Sequence, residues 1–212
     1  MNYVLITRPK FDDTTAYLFS WSSKIIDFLQ KTHFNLIDLK ESKANRKSVE
    51  SVLLKKSPEL VIFNGHGISS TIRGHNNEIL IDAKNSHLLK LKIIYSVSCN
   101  SAKTLGVKIA GDYTTFIGYK NEFLFLIDTT KSCTPEKDEI AKPFMESSNQ
   151  LSISLLKGKT VRESYEDTKR KYTDWIIHYA ANESLPEASS IISCLIWDRE
   201  NLVLLGSEDK SL

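Results

Sequence analysis

Cysteine is scarce in this chain of 212 residues, and the three that occur are Cys99, Cys133 and Cys194. They lack the paired spacing of secreted proteins that disulfides stabilise, so the pattern is typical of a reducing cytosol. The N-terminus has no basic region followed by an apolar signal segment, and no apolar run approaches the length of a membrane span. The sequence therefore predicts a soluble, cytoplasmic protein without a membrane span.

A strong charge of one sign is also missing. The formal net charge is +2 at pH 7, which is too small to indicate nucleic acid as a partner. The chain has neither Gly-x-Gly-x-x-Gly nor a phosphate-binding loop that ends in Gly-Lys-Ser/Thr, so a nucleotide-dependent enzyme lacks its usual signature. His66, His75 and Cys99 lack the close Cys or His spacing typical of a zinc site. We therefore predict no cofactor and no metal.

Strand-like and helix-like patterns alternate along the chain. Apolar runs at residues 3–7, 34–39, 59–63, 93–97 and 115–119 predict strands, and helical periodicity occurs at 17–32, 44–56, 138–156 and 160–180. The alternation predicts an α/β protein with a mostly parallel sheet of about six strands that helices cover on both faces. Residues 73–82 predict a small hairpin, and the runs 191–197 and 202–205 predict a C-terminal β-hairpin. No repeat or linker interrupts the chain, so we predict one domain over residues 1–212.

Two predicted strands end in residues suited to nucleophilic chemistry. His66 lies between Gly65 and Gly67 after the third strand, and Cys99 follows the fourth. Adjacent parallel strands bring such residues to the same edge of a sheet, where an imidazole can serve a thiol as base and then as acid. The pattern predicts a catalytic dyad in which the N–H groups of Gly67 and Cys99 form an oxyanion hole. Taken singly, Gly65-His66-Gly67 is more typical of a flexible turn and Cys99 of an ordinary buried cysteine.

The sequence around Cys99 indicates a positive environment. A helix is predicted to begin in residues 98–102, and its dipole favours a thiolate at that point. Residues 83–111 contain five lysines and no Asp or Glu, which adds positive potential. We therefore expect surroundings that favour the thiolate form of Cys99.

Two motifs around these residues resemble those of caspase-like cysteine peptidases, a group that includes caspases, metacaspases, gingipain-like enzymes and bacterial CHAT domains. The motifs are Val61-Ile-Phe-Asn-Gly-His66-Gly67 and Ile93-Ile-Tyr-Ser-Val-Ser-Cys99-Asn-Ser-Ala102. CHAT domains are especially similar, because three further features recur in their order. These are Phe116–Tyr119, Leu155–Gly158 followed by Val161 at the opening of a helix, and Leu195–Gly206. The resemblance covers residues 59–206.

The resemblance implies a three-layer α/β/α fold of the caspase type and a cysteine endopeptidase that works without a metal. Cys99 would be the nucleophile and His66 the general base and acid, with Gly67 and Cys99 N–H groups as oxyanion hole. The substrate would be a protein or peptide, and an activating or regulatory protein partner in a bacterial stress or antiviral defence pathway would fit the group. One departure is that the uncharged pair Val97-Ser98 precedes the cysteine, so specificity would come from other loops.

Substrate selection is expected at loops beyond the strand ends. In enzymes of this group the loop after the first strand contributes to the pocket for the residue before the cut, which nominates Asp12 and Asp13; Asp128 is a further candidate after a later apolar run. Carboxylates there predict a preference for Lys or Arg. Arg8, at the end of the first strand, would instead favour an acidic residue.

Two other interpretations remain open. A caspase-like chain can keep its fold and act as a catalytically silent or partner-activated binding module, and the same dyad can act on something other than a protein. A thiol-directed probe that labels Cys99, and fails to do so after Cys99→Ala or His66→Ala, distinguishes an enzyme from a silent module.

Overall fold

A central sheet organises the fold. In chain order the strands are β1 (Tyr3–Arg8), β2 (Asn35–Lys40), β3 (Leu60–Asn64), β4 (Gly67–Ile68), β5 (Thr71–Arg73), β6 (Ile79–Ile81), β7 (Ile93–Val97), β8 (Thr115–Tyr119) and β9 (Leu202–Gly206). The computed structural model describes residues 2–182, 184–185 and 187–212, and six of these strands form one sheet in the order β2-β1-β3-β7-β8-β9. β9 is antiparallel to β8, and the other neighbours are parallel. The predicted sheet is confirmed.

The α-helices lie on both sides of this sheet. They are α1 (Asp13–Trp21), α2 (Ser23–Leu29), α3 (Arg46–Lys56), α4 (Val107–Ile109), α5 (Lys142–Leu156), α6 (Val161–Ala180) and α7 (Ala188–Asn201). The single helix predicted at residues 17–32 is wrong, because α1 and α2 meet at Ser22. A π-helical turn at Ala102–Gly106 leads directly into α4. In the described part of the chain, no helix is both long and apolar enough to cross a membrane.

Two apolar cores lie on opposite faces of the sheet. Neighbouring residues of a strand point to opposite faces, so Val4 and Ile6 belong to one core and Leu5 to the other. Residues of α1, α2, α5, α6 and α7 complete the first core, which includes the buried Trp21. Residues of α3 and α4 contribute to the second. This is a three-layer α/β/α arrangement.

The predicted C-terminal β-hairpin is wrong. The segment 191–197, predicted as its first strand, belongs to α7. β9 therefore pairs with β8 instead of with that segment. Ile191, Leu195 and Asp198 are buried at helical spacing, but Ile196 and Trp197 on the exposed side are apolar as well. Because both faces of the helix carry apolar side chains, the segment shows no clear helical period and imitates a buried strand.

A small antiparallel sheet of β4, β5 and β6 follows β3. It contains the hairpin predicted at residues 73–82, whose turn is His75–Asn77, so that prediction is confirmed. The sheet begins immediately after His66, and the N–H of Arg73 donates to the His66 carbonyl at 2.9 Å. The backbone on which the His66 side chain is mounted is therefore fixed on both sides, by β3 and by β5.

Candidate active site

His66 and Cys99 follow the ends of two adjacent strands. β3 and β7 are parallel neighbours, and their register ends with Asn64 opposite Val97. His66 and Cys99 each come two residues later (64 to 66 and 97 to 99). The alignment continues past the strands, because the N–H of Gly65 donates to the Val97 carbonyl at 3.3 Å. The sheet thus brings the two chain segments together at its carboxyl edge.

Gly67 is packed directly against the Cys99 turn. A Cβ atom at Gly67 would lie 2.7 Å from the carbonyl oxygen of Cys99 and 2.9 Å from the Oγ of Ser98. Both distances are shorter than van der Waals contact, and the first atom belongs to the backbone, which cannot rotate away. The two strand ends therefore touch only because residue 67 has no side chain.

The N–H of Gly67 is directed away from β5. The bond from Arg73 N–H to the His66 carbonyl shows that Gly67 and its partner Ile72 form a non-hydrogen-bonded pair. In such a pair the N–H and C=O groups of both residues point outward from the ladder. Gly67 N–H is therefore not consumed by the small sheet and can serve a ligand.

The imidazole of His66 is held by a carboxylate. Its Nε2 lies 2.6 Å from the Oδ2 of Asp12, and the two side chains are 31% and 38% exposed. An ionised carboxylate only accepts hydrogen bonds, so Nε2 of the neutral ring carries the hydrogen. Nδ1 is then the nitrogen that can accept a proton. Asp12 thus sets both the tautomer and the orientation of His66.

Asp12 is itself fixed as the N-cap residue of α1. Its Oδ1 accepts the N–H of Thr15 at 2.8 Å and the Thr15 hydroxyl at 2.7 Å. Burial alone would raise the pKa of the Asp12 carboxyl, but hydrogen bonds from Thr15 and His66 outweigh it and lower the pKa overall. Asp12 is therefore ionised at neutral pH and remains an acceptor for His66.

An aromatic side chain supports the same loop. The ring centroid of Phe11 lies 5.8 Å from that of His66 and 5.6 Å from that of His75, both edge-on. The backbone N–H of Lys10 also faces Nδ1 of His75, at 3.5 Å. The loop after β1 is thus packed against both histidines. Sequence reasoning missed this role of Phe11 and His75, and it missed that Asp12 binds His66.

Cys99 is a half-buried cysteine whose Sγ lies 4.0 Å from the carbonyl oxygen of Phe123. Burial raises the pKa of the thiol, and the nearby carboxylate of Glu122 acts in the same direction. The expected thiolate-favouring environment is therefore wrong. The helical turn begins only at Ala102, and a carboxylate rather than the lysines acts on the sulfur. Cys99 is a neutral thiol at pH 7 and needs a base in order to react.

The other charged candidates differ in their surroundings. Asp13 is exposed on the first turn of α1. Asp128 accepts the N–H and the hydroxyl of Thr130 at 2.9 and 2.7 Å. Arg8 is buried and forms a bidentate pair with Asp38, at 2.9 and 2.5 Å. Because its charge is neutralised inside the protein, Arg8 provides no argument for a preference for acidic substrates.

A cavity of about 470 Å³ adjoins the chain segment that follows Phe123. It is lined by residues 125–129, Ile140 and Glu187. Two carboxylates, those of Asp128 and Glu187, therefore border the same space. A basic side chain is the complement to such a cavity.

A metal centre is not evident. Among residues 2–182, 184–185 and 187–212, no three His, Cys, Asp or Glu side chains converge so that they could hold an ion. The histidines considered with Cys99 as zinc ligands have other partners, because His66 contacts Asp12 and His75 faces the backbone N–H of Lys10.

No protein-family model matches the sequence, and no curated protein matches it. Solved structures do. A chain of the complex of Porphyromonas gingivalis RgpB pro- and mature domains is similar over 98% of this chain and 47% of that chain, with a TM-score of 0.62 and 10% sequence identity. Caspase-1 from Spodoptera frugiperda is similar over 81% of this chain and 76% of that chain, with a TM-score of 0.49 and 12% identity.

The similarity to the RgpB chain concerns the fold. This chain spans about half the length of that one (47%), and 10% of aligned residues are identical. The six-stranded, mostly parallel sheet and the helical layers on both faces agree with the expectation from the sequence. The chain therefore has a three-layer α/β/α fold of the caspase type.

Proposed function

We propose that this chain is a cysteine endopeptidase in which Cys99 is the nucleophile and His66 the general base and acid. The observation that carries the proposal is the 2.6 Å contact between Asp12 and His66, beside the Cys99 turn. A base in catalysis benefits from a fixed tautomer, and an orienting carboxylate supplies it. The sequence motifs around both residues, which resemble those of caspase-like peptidases, support the same chemistry.

The proposed reaction is acyl transfer through a thioester. As the Cys99 sulfur attacks the peptide carbonyl carbon, the thiol proton passes to Nδ1 of His66 and the carbonyl electron pair moves to oxygen. The N–H groups of Gly67 and Cys99 stabilise this oxyanion. The C–N bond then breaks, and the leaving amine takes the proton from His66. A water molecule, deprotonated by His66, hydrolyses the thioester and restores the thiol.

The proposed substrate is a protein or peptide with Lys or Arg before the cut. Asp13 and Asp128 are the proposed recognition carboxylates, and the cavity bordered by Asp128 and Glu187 supports a basic preference. The neutralised Arg8 also counts against an acidic one. The sequence also nominates Asp12 for this pocket, but its bond to His66 favours a positioning role instead.

A peptide acyloxymethyl ketone tests the proposal. Probes with Lys, Arg or Asp next to the reactive group are incubated with the native protein, and the modified residue is located by mass spectrometry. We expect labelling at Cys99, faster with Lys or Arg than with Asp, and no labelling after Cys99→Ala. Cys133 is exposed, so Cys133→Ala is the matched control and retains the modification.

Three outcomes contradict different parts of the proposal. Labelling of Cys133 instead of Cys99 under native conditions would refute the nucleophile. Labelling at Cys99 that His66→Ala leaves unchanged would refute the base. A faster reaction with the Asp probe would refute the basic preference and leave the dyad intact.

A partner-activated module is the second candidate, and the environment of Cys99 favours it. Burial raises the pKa of the thiol, so the isolated chain holds its nucleophile in the less reactive form. If the second candidate is correct, the peptide probe labels Cys99 only in a lysate of the source cells or with a purified partner, and not in the isolated chain.

Replacing Asp12 separates its two contacts. Serine is also a good N-cap, so Asp12→Ser keeps the cap on α1 but removes the carboxylate from His66. We expect its kcat to fall by about 10- to 100-fold, because the imidazole loses its fixed orientation. Asp12→Ala loses the cap as well, so we expect its free energy of unfolding to be about 1 kcal/mol lower than that of the wild type.

The measurements are peptide turnover and thermal unfolding of the same samples. Asp27 is exposed on α2, so Asp27→Ser is the control for removal of a surface carboxylate. Wild-type turnover by Asp12→Ser would show that the Asp12–His66 contact has no part in catalysis.

A further inference from the structure

The last turns of α7 hold residues 120–124 through several side chains. Trp197 Nε1 donates to the Glu122 carbonyl at 2.8 Å, and the N–H of Leu124 donates to Oδ1 of Asp198 at 2.9 Å. Asn201 completes the set: its Oδ1 accepts the side-chain amide of Asn121 at 2.7 Å, and its carbonyl accepts the N–H of Lys120 at 2.9 Å. α7 thus binds this segment at successive residues along its length.

The same segment contacts the Cys99 turn on its other side. The Phe123 carbonyl lies 4.0 Å from Sγ of Cys99. The N–H of Asn100 donates to the Asn121 carbonyl at 2.9 Å, and the Asn100 side-chain amide donates to Glu122 at 3.2 Å. Residues 120–124 therefore form a layer between α7 and the proposed nucleophile, so a shift of this layer moves the surroundings of the sulfur.

Asp198 is the unusual member of this contact. It is fully buried, and its Oδ2 has no hydrogen-bond partner in the described part of the chain. A buried carboxyl with an unpaired oxygen lowers the stability of the fold, so its presence calls for a contact that an apolar residue cannot make. What it does here is accept the N–H of Leu124, which an apolar side chain would leave unpaired beside the candidate active site.

Burial also favours the uncharged form of Asp198. It raises the pKa of the carboxyl well above the ordinary range, and the bond from Leu124 N–H opposes this only in part. The side chains on which it acts electrostatically are phenols and thiols, namely Tyr95 on β7, Tyr119 on β8, Tyr172 on α6, Cys194 on α7 itself and the proposed nucleophile Cys99. A charged Asp198 would raise the pKa of the Cys99 thiol further, so the neutral form favours thiolate formation during attack.

We propose that Asp198 is a positioning residue that holds residues 120–124 against the Cys99 turn through the Leu124 N–H. This inference rests on the proposed peptidase function. Asp198 acts through residues 121–123 and does not touch the reacting atoms. Asp198 works as a neutral acceptor, so an amide of the same shape can replace it.

Three variants test this proposal. Asp198→Asn keeps an acceptor for Leu124 N–H, Asp198→Leu removes it while filling a similar volume, and Trp197→Phe removes the indole N–H that binds the Glu122 carbonyl. Glu200 is exposed on the same helix, so Glu200→Gln is the matched control. Trp197 is partly exposed, so Trp197→Phe should fold even if Asp198→Leu does not. It still removes one of the contacts that hold residues 120–124.

The first readout is peptide turnover with kcat and KM resolved. We expect kcat to fall by about 100-fold for Asp198→Leu, because a small displacement of the nucleophile has an effect of this size. For Trp197→Phe we expect a fall of about fivefold, the effect of one hydrogen bond. Asp198→Asn should restore wild-type kcat. A fall in Asp198→Asn as large as that in Asp198→Leu would overturn the neutral-acceptor role.

The second readout is amide hydrogen exchange of residues 120–124, which needs no activity. Exchange there should be faster in Asp198→Leu and Trp197→Phe than in wild type, and unchanged in Asp198→Asn and Glu200→Gln. Unchanged exchange in both loosened variants overturns the contact itself. Faster exchange with wild-type kcat overturns the positioning role. Faster exchange in a chain whose wild type never labels at Cys99 retains the contact and rejects the peptidase function.

Discussion

Replacing His66 by alanine is expected to lower the turnover of a cleaved peptide by about 10³-fold, the usual contribution of a general base and acid. The effect should be large here because burial raises the pKa of the Cys99 thiol. A cysteine that is already a thiolate needs little help, whereas a neutral thiol must give up its proton as it attacks. His87 is exposed in the helical turn Ser86–Leu89, outside the candidate site, so His87→Ala is the matched control and should leave turnover near wild type.

The pH dependence of alkylation checks the same mechanism without a peptide. A raised thiol pKa means that the folded chain holds the neutral form at pH 7, and the thiolate fraction grows as pH rises through that pKa. Iodoacetamide should therefore modify Cys99 faster as pH rises and reach its plateau only above the ordinary thiol range. A plateau at acidic pH in wild type that disappears in His66→Ala would show a preformed thiolate–imidazolium pair and overturn the neutral thiol.

The positions of His66 and Cys99 could be predicted because one rule of parallel sheets connects them. Each follows a short apolar run, and alternating strands and helices predict that such runs end at one edge. The register of β3 and β7 meets that expectation. Gly67 could be noticed in the same way, since a glycine after a strand end indicates close approach of another chain segment.

The supporting residues could not be predicted, because they come from distant parts of the chain. Asp12 is 54 residues from His66. Its capping partner is Thr15, whereas the capping box that a sequence scan detects has Glu or Gln at this position. The sequence indicated Asp12 only through a family resemblance, and for another role. Asp198 could not be predicted for a different reason. Its helix has two apolar faces and was predicted as a strand, so Asp198 was assigned to the turn of a hairpin.

Burial explains why the electrostatic expectation for Cys99 was wrong. Counting lysines along residues 83–111 treats charge as if sequence distance were spatial distance. Glu122 is 23 residues after Cys99 in the sequence, but in the fold the Asn100 side chain binds it beside the Cys99 turn. Its charge therefore acts on the thiol. The helical turn that would have lowered the thiol pKa starts at Ala102 with π geometry. Desolvation and a carboxylate therefore outweigh the dipole of a short helix.

Gly67→Ala is expected to reduce peptide turnover by about 100-fold although every proposed catalytic group is retained. The added methyl would lie 2.7 Å from the Cys99 carbonyl oxygen and 2.9 Å from Ser98 Oγ. Gly67 does not have the left-handed φ that would exclude alanine by itself, so the effect arises from packing between the two strand ends. Relief requires the Cys99 backbone to move, and such overpacking is expected to cost about 1–3 kcal/mol of unfolding free energy.

Turnover and thermal unfolding of Gly67→Ala should be compared with those of Gly111→Ala. A Cβ atom at Gly111 meets nothing within 4 Å, so that control adds a methyl group without a clash and should behave as wild type. Removing the Ser98 hydroxyl in Gly67→Ala/Ser98→Ala leaves the closer contact, with the Cys99 carbonyl, in place. The double variant is therefore expected to remain impaired. Full recovery of turnover in it would place the clash at the hydroxyl and show that the Cys99 backbone tolerates a side chain at residue 67, which contradicts a packed oxyanion hole at this position.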